Sequence, residues 1–102
     1  AKLELRVGVV VTADRVKKKD RLLALTVDVG EASPRGLIAG IAESYQPEEL
    51  VGRRVVVLCN LAPKKFGKGL VSHGMLLAAD GADGKPTLVA VAGDLPAGAA
   101  VH

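Results

Sequence analysis

Aromatic side chains are nearly missing from this chain, which has one Tyr, one Phe and no Trp in 102 residues. Proteins that hold unstructured single-stranded nucleic acid stack its bases on aromatic rings, at about 1–3 kcal/mol per base. Two rings cannot supply such a track. The single cysteine, Cys59, can close no internal disulfide, which fits a reducing cytoplasm. The only histidines are His73 and His102, and neither is grouped with cysteine, so no metal site is expected. No Ser-His-acid set and no G-x-x-x-x-G-K-[ST] loop occurs. Gly67-Lys68-Gly69 lacks the helix that a phosphate cradle needs. His73, between Ser72 and Gly74, reads as a solvent-facing strand residue rather than a general base. No catalytic residue and no cofactor are expected. No apolar run approaches the roughly 18 residues that span a bilayer, and charge at alternate places in Ala1-Lys2-Leu3-Glu4-Leu5-Arg6 argues against a signal-peptide core.

What is present is aliphatic and basic. Apolar residues make up 49% of the chain, enough for one core without disulfides or metal. The net charge of +3 is unevenly spread: residues 1–70 hold 13 Lys and Arg against 8 Asp and Glu, whereas residues 71–102 hold one Lys against three Asp. A basic excess gathered in two thirds of the chain suits a polyanionic partner.

The periodicity is that of strands. Leu3, Leu5, Val7, Val9 and Val11 alternate with Glu4, Arg6 and Gly8, and Gly8 suggests a bulge or bend that lets one long strand serve two sides of a barrel. Residues 14–20 read as a basic loop, Leu23 to Val29 as a second strand, 31–36 as a turn and Leu37 to Ala42 as a third strand. Pro47 at a first helical position, Glu48 and Glu49 after it and Gly52 at the end predict one or two helical turns, with Leu50 and Val51 packing beneath. Arg53 to Cys59 and Met75 to Ala79 are further strands, and 80–84 turns into a short strand at Thr87 to Val91. The order predicts an all-β, five-stranded OB-fold Greek-key barrel over residues 1–80, with one short helix between strands three and four. Residues 81–102 form a C-terminal extension of short strands packing on it. An SH3-like barrel would not place a helix there.

In such a barrel the loops after strands one and four flank one face. The first holds Lys17, Lys18 and Lys19, bordered by Arg15 and Arg21; the second holds Lys64, Lys65 and Lys68. With so few rings, recognition by phosphate position and RNA shape is the expected mode. Phe66 is placed either to contact a base or, the favoured reading, to anchor its loop by packing, and Tyr45 to fill the core or dock the helix.

Several segments recur in one family. They are Leu5-Arg6-Val7-Gly8, Asp20-Arg21-Leu22, Val27-Asp28-Val29-Gly30, Gly40-Ile41 and Tyr45-Gln46-Pro47-Glu48-Glu49-Leu50-Val51-Gly52. Most specific is Asn60-Leu61-Ala62-Pro63-Lys64-Lys65, followed by Ser72-His73-Gly74-Met75-Leu76-Leu77-Ala78. In this order the chain resembles the tRNA-binding OB domain at the C-terminus of many bacterial methionyl-tRNA synthetases. That domain also occurs as free-standing structure-specific tRNA-binding proteins and in endothelial-monocyte-activating polypeptide II. The resemblance implies a non-catalytic module for the outer corner of L-shaped tRNA, with RNA contact at Arg21, Arg35, Asn60, Ser72 and Met75. It implies a homodimer joined through the first strand and the C-terminal segment, where Leu88, Val89, Val91, Leu95 and Val101 supply apolar surface. A methionyl-tRNA synthetase catalytic chain is a further implied partner. Related dimers act as chaperones for unfolded polypeptide, the alternative function. Ala39 replaces the family's usual serine, and Lys17 to Lys19 replace its His-Pro-x-Ala approach.

Overall fold

A computed structural model describes residues 2–102. Strands β1 (Leu5–Val16) and β2 (Lys19–Asp28) form a long hairpin, and β3 (Arg35–Ala39) pairs with β2. One helical turn, α1 (Pro47–Leu50), precedes β4 (Arg54–Leu58), which returns beside β1. Then come β5 (Lys64–Gly67), β6 (Leu70–Ser72), β7 (Met75–Leu76), β8 (Ala78–Asp80), β9 (Pro86–Leu88) and β10 (Ala100–Val101). The main sheet runs β3-β2-β1-β4-β7 with every neighbour antiparallel. This is an OB-type barrel with α1 between its third and fourth strands. Among the described residues no helix is long and apolar enough to cross a membrane.

β1 serves two sides of the barrel. Leu5 to Val9 pair with β4, and Val9 to Val16 pair with β2. The sequence places its bend at Gly8; the register shifts instead between Val10 and Thr12, skipping Val11, which is left exposed. Gly8 has a different task. A Cβ there would lie 2.5 Å from Val27 Cγ1 and 2.9 Å from Val57 Cγ2, so side chains of β2 and β4 meet over the bare backbone. Gly8→Ala is therefore expected to overpack the interior and cost about 1–3 kcal/mol, read as a lower thermal midpoint.

The core gathers Val10, Leu23, Leu25, Val27, Leu37, Val55 and Val57, and Leu50 of α1 enters it with no exposed surface. Val51, expected beside Leu50, is 52% exposed, because the chain leaves the helix there and Gly52 donates to Val10 O. Gln46 makes no side-chain cap, so Leu50 burial holds the turn in place.

Elsewhere the chain is more ordered, and more broken, than its pattern suggests. The expected loop at 14–20 is strand on both sides of a two-residue turn, and the expected basic loop between Cys59 and Met75 contains the β5–β6 hairpin. The strand expected over Met75 to Ala79 is two pieces, and the third strand starts and stops earlier than its apolar run. The C-terminal residues share the barrel's interior. Leu88 joins the core, its N–H donates to the Tyr45 hydroxyl, Gly98 N–H donates to Val7 O, and β10 lies along the start of β1. Gly98, at φ 91°, passes so close to β2 that a Cβ would sit 2.8 Å from Val29 O.

Candidate nucleic-acid interface

Two hairpin tips carry the lysines. Lys17 and Lys18 form the β1–β2 turn and Lys19 opens β2; Lys18 holds a left-handed φ of 66°, which costs a side chain roughly 1–2 kcal/mol. Lys64 and Lys65 lie on β5, and Lys68 lies in the turn to β6. These tips adjoin. A Cβ built on Gly67 would lie 3.7 Å from Lys19 Nζ, so the first tip's ammonium rests against the second tip's backbone. Among the described residues none of these six lysines forms an ion pair with Asp or Glu. The arginines differ. Arg6, Arg21, Arg35 and Arg54 each pair with an acid, Arg15 donates to Gln46 Oε1 and Ala42 O, and Arg53 lies over the Tyr45 ring. The structure thus spends arginine on itself and leaves lysine to solvent. Arg21 is intermediate: its 3.6 Å contact to Glu43 joins two exposed side chains, a weak tie that leaves the guanidinium accessible.

The signature residues divide sharply. Met75 is 47% exposed, facing away from the core that Leu76 packs against. Asn60, Ser72 and Arg35 are fasteners. Asn60 Oδ1 accepts from Glu4 N–H at 2.8 Å while Nδ2 donates to Lys2 O, extending the contact of β4 with β1 past the last ladder pair. Ser72 is 2% exposed; its hydroxyl accepts from Ile38 N–H and donates to Gly74 O. With His73 N–H donating to Gly36 O, this bridge closes the barrel between β3 and the β6–β7 link.

Arg35 makes four hydrogen bonds. Nε and Nη2 grip the two Glu31 oxygens at 2.7 and 2.8 Å, and Nη1 donates to Cys59 O and His73 O at 2.7 and 2.9 Å. The guanidinium bond holds the Glu31 carboxyl below the usual carboxylate range, and the carboxylate raises Arg35 in turn. Because the folded-state value of Glu31 is depressed, the pair's contribution is complete above the unfolded value. It is lost as pH falls through the folded one. Glu31→Gln is expected to flatten the acid limb of a stability–pH curve while leaving its neutral-to-alkaline slope alone.

Burial pushes the Cys59 thiol up, and Sγ contacts Val57 O at 3.7 Å, so it is a core atom and a poor nucleophile at neutral pH. Among the described residues no group of three His, Cys, Asp or Glu could hold a metal ion. The sequence reading missed an apolar trough beside the tips, lined by Ile38, Leu61, Phe66 and Met75. Alternation of Met75 with Leu76 was the available signal.

An OB-type barrel with unpaired cations on two adjoining tips is the architecture of a nucleic-acid-binding module. The family model for the tRNA binding domain matches residues 5–100, and this chain belongs to that family. The methionine–tRNA ligase of Listeria monocytogenes is 47% identical over 100 residues, and that of Myxococcus xanthus 52% over 101. These matches cover 98% and 99% of this chain but 15% and 14% of the ligases, so the chain spans about one seventh of these relatives' length. Among solved structures, a MetRS-related protein from Pyrococcus horikoshii superposes with a TM-score of 0.89 at 40% identity, covering 98% of this chain and 90% of that one. The chaperone CsaA from Bacillus anthracis superposes at 0.86 with 29% identity, covering 98% and 90%.

Proposed function

We propose that this chain is a non-catalytic, structure-specific module that grips the outer corner of folded tRNA. It acts in the cytoplasm as the C-terminal domain of a methionyl-tRNA synthetase or as that enzyme's companion. The observation that carries the reading is the Lys19 ammonium against Gly67, which brings two unpaired lysine clusters to one side of the barrel. Lys17, Lys18, Lys19, Arg21, Lys64, Lys65 and Lys68 are the cations that face phosphate, about five of them engaged at once, Met75 is the apolar contact, and Arg35, Asn60 and Ser72 hold the surface in shape. With about five phosphates neutralised, a fourfold rise in salt weakens binding by roughly 10²–10³ on the duplex coefficient. Such a module improves retention of an RNA that a larger enzyme also holds. Filter binding of folded tRNA, unstructured RNA and an unfolded polypeptide tests this: tRNA is expected to bind best and with a steep salt slope. A flat slope would refute it.

The second reading is a chaperone for unfolded polypeptide. Its support is the resemblance to the CsaA structure of Bacillus anthracis and the exposed Leu61 and Met75. In the same assay it would give polypeptide binding that persists at high salt.

A homodimer belongs to the proposal. Leu3 is 68% exposed and shares a surface cleft with Val101, at the edge where β10 lies along β1. Leu3→Glu with Val101→Glu is expected to halve the mass seen by light scattering without unfolding the barrel. Truncation would be a worse test, because Leu88 and the β10 ladder belong to the fold.

A further inference from the structure

The lysines do not account for the apolar trough beside the β5–β6 tip. One hollow of about 250 Å³ is lined by Ile38, Leu61, Phe66 and Met75, with exposed Lys64 and buried Ser72 as its polar members. A second, of about 240 Å³, shares Ile38, Phe66 and Met75 and continues to Leu76 and Leu88. Leu61 and Met75 are 41% and 47% exposed, although the core is complete without them. Phe66 is the one Phe, Tyr or Trp ring besides Tyr45, and Lys64 Nζ stands 5.1 Å from its centroid. The cation thus covers one face of a ring at the trough, while Lys19 Nζ lies against Gly67 of the same hairpin.

We infer that this trough takes one unstacked nucleobase of the bound RNA, whose neighbouring phosphates reach the two lysine tips. The inference rests on the tRNA reading and adds to it a base contact that phosphate spacing alone does not give. Four features fix the occupant. The surface is apolar, as a base's faces require. It offers a ring and a polarisable thioether, both suited to a π-face. Its one buried hydroxyl is already used by Ile38 and Gly74, so it favours stacking over reading base edges. Cations stand at its border, where an unfolded apolar polypeptide would gain little and a flipped nucleotide's phosphates gain most. The slot therefore selects for an extruded loop base and against continuous duplex, without specifying which base.

The test compares an in-vitro transcribed tRNA with a blunt RNA duplex of equal phosphate number. The proteins are the unaltered chain, Met75→Ala and Phe66→Leu, each with a thermal melt as a folding control. Loss of one stacking contact is expected to weaken tRNA binding roughly 5- to 150-fold. Duplex affinity and both salt slopes should stay unchanged. A tRNA affinity that survives both substitutions with its steep salt slope would overturn the base slot and leave the tRNA reading standing. A flat salt slope in the unaltered chain would remove that reading itself. Equal losses on tRNA and duplex would also overturn the slot, because a duplex offers no free base.

Discussion

Replacing Lys19, Lys64, Lys65 and Lys68 together by Ala is expected to weaken tRNA binding by roughly 10²–10³ near physiological salt. Each lost phosphate contact removes about 0.9 from the logarithmic salt slope on the duplex coefficient, so the surviving affinity should also become less salt-sensitive. The fold should barely notice. All four side chains are exposed and none is ion-paired, so their removal falls among surface changes worth about half a kcal/mol or less. Equilibrium binding at two salt concentrations, with a melt on each sample, separates the two effects. A variant that binds as before would dissociate the lysine tips from function. One that melts early would mean the tips are structural.

Arg35→Met is expected to do the opposite, lowering stability by about 2–3 kcal/mol. For a domain of this size that moves the thermal midpoint down roughly 10–20 °C. Arg35 ties the 31–35 turn, the end of β4 and the β6–β7 link together, and its loss leaves Cys59 O and His73 O without that donor. Lysine should not rescue it, because a single ammonium cannot reproduce a fork that grips Glu31 while spanning two carbonyls. Measured well below its midpoint, the variant should still bind tRNA. Lost binding with an unchanged midpoint would instead make Arg35 a direct RNA contact.

The barrel was legible because its strands alternate and its helix signals, Pro47 and Gly52, stand where one turn of helix must start and stop. The bulge after Val10 was not, because the register depends on which side chains meet across the interior, and Gly8 offered a plausible but different bend. The two basic tips were legible as charge. Their adjacency followed from the expected barrel, whereas the close approach of Lys19 to Gly67 depends on where β2 and β5 lie. Asn60, Ser72 and Arg35 illustrate what a motif conceals. Each has polar groups suited to RNA, yet each also bonds to partners 24 to 58 residues away that no local pattern encodes. Met75 differs from them in being exposed, because its neighbour Leu76 takes the inward position.

The central claim is that both tips grip one RNA together. It is tested most directly by the salt slope of tRNA binding in three forms: unaltered, Lys17, Lys18 and Lys19 neutralised, and Lys64, Lys65 and Lys68 neutralised. The account predicts that each triple substitution removes about 2 to 3 from the slope and that neither abolishes binding alone. A slope carried wholly by one tip, with the other silent, would contradict it.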